Sequence, residues 1–430
     1  MSLRPYVPCV SLLLVMAATA ACHHGGTSVS SEAGAAAASA SAASPAGAAG
    51  ECLASLDFVV PYQSYKNGDV IRAITVDGNQ VLFRNADDLM RVPLAGGAPV
   101  TLSPAPSMTL QFDARPSMWL VGDKIVTQSP GAPAFLEAPK TGGSWTPIVN
   151  LSGGDLGSKL ETGNHIVHTI FSGRPENAHP AIFDGTAFFW VEEHGASKGK
   201  PASSAIRSVP LTGSPARTLY EWEGGLRSLA RAGDRLVFER QDPETKESTT
   251  TVRKDPKGKL QFDIKPPRPT MLMSMPAQGG TPELLAHFSA MEGSLGKGEV
   301  LVADGDAVYV SGYQDEDIQK AGTFRISAHP GSALQRLDDR KLSGEGFVYG
   351  DRIVIAGHGP IEPKPPRGDV FGNLGLVVMT GDRHGGALQR AACIHGNYTE
   401  HAYAIAGKTL LVSILNSDDR KAAIIRVPLP

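Results

Sequence analysis

The sequence predicts an all-β repeat protein of seven units, each built from short antiparallel strands. Two recurring phrases and one shortened copy carry this. The phrase Arg91-Val-Pro-Leu-Ala-Gly-Gly97 returns as Arg207-Ser-Val-Pro-Leu-Thr-Gly213, as Met275-Pro-Ala-Gln-Gly-Gly280 and as Arg426-Val-Pro-Leu-Pro430. Each copy follows a small turn and an apolar strand, such as Asp77-Gly-Asn-Gln-Val-Leu-Phe83. A fixed pair of phrases at a steady period marks a repeat architecture.

Composition agrees. Of 430 residues, 41% are hydrophobic and 19% charged, an ordinary globular balance. The 48 glycines and 32 prolines suit many short strands joined by turns. A formal charge of −3 argues against a nucleic-acid or anionic-membrane surface.

The unit reads as four strands, a to d. In the first unit these are Val70–Val76, Gln80–Arg84, Leu89–Leu94 and Pro99–Leu102. Asp77-Gly78-Asn79 joins a to b, because a type I′ hairpin turn needs positive φ. Gly96-Gly97 joins c to d for the same reason. The a–b turn recurs at Gly122-Asp123, Asp184-Gly185, Gly233-Asp234, Gly305-Asp306, Gly350-Asp351 and Gly407-Lys408. The c–d turn recurs at Gly142-Gly143, Gly213-Ser214, Gly279-Gly280, Gly331-Ser332 and Gly385-Gly386. The seventh unit has no strand d of its own. The spare apolar segment Cys52–Val60 is expected to supply it and so close two open sheet edges.

Val10–Ala21 is apolar or small and Arg4 is the only early charge, the pattern of an export signal. Thr19-Ala20-Ala21-Cys22 resembles a bacterial lipoprotein signal, which implies lipidation at Cys22; a plain secretory signal cut near Ala21 is the alternative. Residues 22–50 form an Ala/Ser/Gly tether with no apolar periodicity, reaching on the order of 30 Å. Residues 51–430 are the folded domain. Its two cysteines, Cys52 and Cys393, are expected to pair in an oxidising compartment. Closing so large a loop contributes about 4–5 kcal/mol at best in the chain-entropy model. Two buried thiols are the alternative.

With seven such units, the chain resembles the β-propeller superfamily, in which seven four-stranded antiparallel blades surround a channel. The Gly-Gly phrase followed by a strand such as Pro99-Val-Thr-Leu102 is similar to the TolB-like class of periplasmic repeats. The resemblance covers Cys52–Pro430. The Ser-x-Arg-Asp-Gly phrase of that class is absent, so its partners are not carried over.

In a propeller the a–b and c–d turns share one face, and the b–c and d–a connections share the other. The long connections here belong to the second face: 152–179, 241–269 and 358–373. Within 241–269, Leu260–Ile264 is expected to add a small strand. Long loops on a rigid scaffold commonly carry function. Candidate residues on that face are His165, His168 and His179; Asp315 and Asp317; His358; and Tyr398 and His401. His165 and His168 are suitably spaced for one metal on a helical turn. On a strand they diverge. No metalloprotease, nucleophile-elbow, phosphate-loop or dinucleotide fingerprint is present. The sequence calls for no metal and no cofactor.

The leading expectation is a lipid-anchored, extracytoplasmic propeller that binds a protein or small molecule without catalysis. It would sit at the outer membrane or periplasmic face, or be secreted. The alternatives are a propeller hydrolase or lyase with His and acidic groups at the channel mouth, and an envelope assembly scaffold.

Overall fold

The structure, a computed structural model, describes residues 52–64, 71–85, 88–103, 118–129, 134–150, 181–194, 203–211, 215–241, 251–254, 260–263, 269–289, 299–313, 321–340, 342–361, 374–395, 398–416 and 421–430. They contain strands and turns and no helix.

β1 (Asp57–Gln63) comes first and belongs to the last blade. Blade one is β2 (Ile71–Asp77), β3 (Gln80–Asn85), β4 (Asp88–Pro93) and β5 (Val100–Ser103). Blade two is β6 (Met118–Val121), β7 (Lys124–Ser129), β8 (Ala134–Pro139) and β9 (Thr146–Asn150). Blade three is β10 (Ile182–Phe183), β11 (Ala187–His194), β12 (Ser203–Pro210) and β13 (Arg217–Trp222). Blade four is β14 (Leu226–Ala232), β15 (Arg235–Gln241), β18 (Pro269–Pro276) and β19 (Glu283–Ser289). Between β15 and β18 a separate hairpin forms from β16 (Thr251–Lys254) and β17 (Leu260–Asp263), where the small strand is expected. Blade five is β20 (Glu299–Asp304), β21 (Ala307–Tyr313), β22 (Ala321–Ser327) and β23 (Gln335–Asp338). Blade six is β24 (Ser343–Tyr349), β25 (Arg352–Pro360), β26 (Leu374–Asp382) and β27 (Gln389–His395). Blade seven is β28 (Tyr398–Ala406), β29 (Thr409–Asn416), β30 (Ala422–Pro428) and, outermost, β1. The predicted closure by the N-terminal strand is therefore formed.

The recurring phrase is a latch. In every blade the amide just past strand c donates to a carbonyl in that blade's a–b turn. The seven bonds are Leu94 to Asn79, Lys140 to Asp123, Leu211 to Thr186, Ala277 to Asp234, Ala328 to Asp306, Arg383 to Asp351 and Leu429 to Lys408, all 2.6–3.1 Å. The glycine corner that follows rests on the preceding blade. Gly142 has φ +103°, and a Cβ there would lie 2.6 Å from Leu102 O of blade one.

Apolar burial occurs between blades rather than within them. Seven clusters fill the seven interfaces, for example Phe135, Phe188 and Trp190 between blades two and three. Alternation in strand b sets this. Leu410, Val412 and Ile414 join the cluster facing blade six, while Leu411 joins the one facing blade one. The same strands carry polar groups that cross the interfaces. Arg84 Nη1 donates to Thr127 Oγ1 at 3.0 Å, and Leu342 N donates to Ser311 Oγ at 2.9 Å.

Cys52 and Cys393 form the expected disulfide. One detail of the sequence reading changes. Cys52 is not in strand d of blade seven, because β1 begins only at Asp57. Cys52 makes a parallel bridge with Cys393 on the outer strand of blade six, and Leu53 N donates to Cys393 O at 2.8 Å.

Candidate functional site

The two faces of the ring differ in how they are built. The face of the a–b and c–d turns is filled with contacts between blades. Arg383 of blade six bonds Asp304 of blade five. Lys140 of blade two bonds Asp77 of blade one at 3.0 Å. Arg231 of blade four pairs with Asp184 of blade three. Arg426 of blade seven donates to Leu94 O of blade one at 2.6 Å. Tight turns and committed side chains leave this face little freedom.

At the opposite face strands b and d end and strands c and a begin; in blade four the separate β16–β17 hairpin falls in sequence between the end of β15 and the start of β18. At the junction of blades three and four the Arg240 guanidinium lies 4.1 Å from the Trp222 ring. It also donates to Tyr220 OH at 3.3 Å. Trp222 Nε1 in turn donates to Gln241 O at 2.7 Å. Between blades five and six, Arg340 Nη1 bonds both carboxylate oxygens of Asp338, at 2.9 and 3.1 Å. Burial raises the Asp338 carboxyl above its ordinary range, and the Arg340 bonds offset only part of that.

His358 is half-buried, and burial lowers its imidazole below the usual value, which keeps it neutral at pH 7. It does not start a loop, as the sequence reading had it. β25 continues to Pro360, and His358 sits opposite Ser343 and Leu376 in the sheet. Tyr398 and His401 also belong to a strand, the inner strand β28, rather than to a connecting loop. Only residues 396–397 separate β27 from β28. Tyr398 pairs with Asn416, and His401 occupies a bulge between Glu400 and Ala402. His165, His168, His179, Asp315, Asp317 and Cys22 lie outside the described residues.

Among the described residues no three or more His, Cys, Asp or Glu side chains come close enough to hold a metal ion. The described residues therefore do not fit a metal centre, and no chemical step is assigned to one. Sequence reasoning missed Ser413, which is fully buried and donates to Ile71 O of blade one at 2.7 Å.

No protein-family model matches the chain, and no curated protein matches its sequence. Solved structures do match. An oligogalacturonate lyase in complex with manganese is similar over 86% of this chain and 96% of its own, with 12% identity and a TM-score of 0.52. The oligogalacturonate lyase of Vibrio parahaemolyticus is similar over 87% and 93%, with 8% identity and a TM-score of 0.53. TolB from Acinetobacter baumannii is similar over 83% and 78%, with 11% identity and a TM-score of 0.36. At such identities the first two likenesses speak for fold alone, in accord with the blade count: the chain is an all-β, seven-bladed propeller closed by its N-terminal strand.

Proposed function

We propose that this chain is a cell-envelope protein that displays a propeller on a tether and binds a protein or small-molecule ligand, without catalysis, on its long-connection face. On this reading residues 1–21 are the export signal, Cys22 carries the lipid and 22–50 form the tether. The observation that carries the proposal is the contrast between the faces. One is taken up by seven latched turns and by bonds between blades. The other receives every connection long enough to vary. The disulfide supports a compartment outside the cytoplasm.

A photo-crosslinking residue placed at Tyr398, against one placed at Asn79 in a latched turn, tests the face. The expected result is partner capture from position 398 alone; equal capture from both positions refutes the reading. Loss of membrane association in Cys22→Ser tests the anchor, and an unchanged membrane fraction refutes it.

A second reading is an enzyme acting on an acidic polysaccharide. Two observations favour it: a neutral imidazole at His358, able to accept a proton, and the lyases among the similar structures. Turnover of oligogalacturonate by the purified domain, lost in His358→Ala, would replace the binding proposal.

A further inference from the structure

The crevice between blades three and four ends in a cation at the long-connection face. On β15 the side facing blade three reads Leu236, Phe238, Arg240, every second residue. Leu236 and Phe238 are fully buried between the two blades, and Arg240 is partly exposed at the end of the row. From blade three, β13 brings Tyr220 and Trp222 to the same crevice. Their rings are stacked, 17° apart in plane and 6.5 Å between centroids. Trp222 Nε1 donates to Gln241 O at 2.7 Å, which fixes the indole beside the end of β15. The chain then turns at Gly224, so close that a Cβ there would lie 2.8 Å from Trp222 Nε1.

Arg240 is poorly satisfied in this place. Its guanidinium lies over the Trp222 ring at 4.1 Å, a contact that uses none of its N–H groups. Among the described residues those groups find two acceptors, both weak: Tyr220 OH at 3.3 Å from Nη1 and Met271 Sδ at 3.6 Å from Nη2. Nε is buried and finds none, and no described carboxylate pairs with the side chain. Arg340, between blades five and six, shows the alternative. It too touches a methionine sulfur, Met379 Sδ at 3.7 Å, yet its Nη1 bonds both oxygens of Asp338. The blade pattern does not call for a cation at this position. Arg240 stands seven residues past its turn glycine, where the other blades have Asn85, Ser129, Glu192, Gly312, Gly357 and Ile414. A partly buried guanidinium with weak acceptors is destabilising, and a carboxylate that meets its planar fork relieves this.

We infer that Arg240, held against Trp222 and Tyr220, is an anchor for a carboxylate of a protein partner on the long-connection face. The inference rests on the binding reading of that face and narrows it. Arginine, tryptophan and tyrosine are the residue types that dominate protein–protein hot spots, and here all three converge around one unmet set of donors. The Arg240 fork offers a carboxylate two parallel donors, and the Tyr220 hydroxyl offers a third.

Fluorescence-polarisation titration of the full chain with labelled hexaglutamate and labelled hexaglutamine, and displacement by trigalacturonate, tests this. Hexaglutamate is expected to bind at least tenfold more tightly than hexaglutamine. Arg240→Gln should weaken hexaglutamate at least tenfold without moving the melting temperature. Equal affinity for the two peptides, no binding of hexaglutamate, or unchanged affinity in Arg240→Gln overturns the inference. Displacement by trigalacturonate at lower concentration than by unlabelled hexaglutamate overturns the protein assignment in favour of an acidic saccharide. If Arg240→Gln unfolds, Arg240→Lys is read instead. It keeps the charge and loses the paired donors, so a several-fold loss supports the site and unchanged affinity refutes it. Partner capture at position 398 that persists undiminished in the Arg240→Gln chain overturns this inference and leaves the broader reading standing.

Discussion

Arg383 of blade six grips Asp304 of blade five with two bonds, Nε to Oδ2 at 2.9 Å and Nη2 to Oδ1 at 2.5 Å. The pair belongs to a pattern with a two-blade period. The residue just before the a–b turn glycine is acidic in blades one, three and five: Asp77, Asp184 and Asp304. The cations that meet them, Lys140, Arg231 and Arg383, come from blades two, four and six. Blade seven departs from the pattern: its Arg426 pairs with Asp57 of its own closing strand β1 at 2.7 Å and also donates to Phe58 O and Leu94 O.

These pairs differ in burial, and the cost of breaking them should follow. The Asp304 side chain is only 10% exposed. Arg383→Ala leaves that carboxylate partly buried and uncompensated, and should cost about 1–3 kcal/mol in urea unfolding. Asp77 is 42% exposed, so Lys140→Ala should cost under about 1 kcal/mol. Equal losses in the two variants refute the ranking.

The glycine corners are a second test. Gly142→Ala forces a positive φ on alanine and drives its Cβ into Leu102 O. Gly78 has φ +60° and open space around it. Gly78→Ala should cost about 1 kcal/mol, the left-handed penalty alone, and Gly142→Ala clearly more. Thermal unfolding of the two variants in parallel measures the difference.

The disulfide should dominate stability under oxidising conditions. Cys52→Ser/Cys393→Ser should lose about 2–5 kcal/mol. Added reductant should lower the melting temperature of the natural chain and leave the variant unmoved. A variant as stable as the oxidised chain would show that blade packing suffices.

His358 should make the fold acid-sensitive. Its folded pKa is depressed below the ordinary 6.5, so the unfolded chain binds the proton more readily. The contribution is complete above the unfolded value and is lost as pH falls through it toward the folded value. His358→Gln should flatten the stability profile between about pH 7 and pH 5, read as denaturant midpoints across that range. A profile as steep as that of the natural chain assigns the acid sensitivity elsewhere.

Much of the fold was legible because turn chemistry is local. Gly78, Gly96 and Gly97 need positive φ, and residue type alone shows that. The proline-leucine phrase repeats because the amide after it must return to the turn, as Leu94 does to Asn79. The site was less legible. A bulge shifts register by one residue and leaves no mark in composition, so the irregularity in β28 between Glu400 and Ala402 could not be read from the sequence. Ser413 braces Ile71 across a separation of 342 residues, which no local pattern can announce. His358 was expected to open the 358–373 connection, yet it and its neighbours Gly357 and Gly359 pair within the sheet.

The placement of Cys52 decides where a pull from the N-terminal side would be carried. The bond to Cys393 lies ahead of β1, on the next blade. A pull on the chain before Cys52 is delivered to β27 and never reaches the end of β1, so the closing strand cannot be unzipped from that end. A load applied from the N-terminal side would leave the seam between β1 and β30 unloaded.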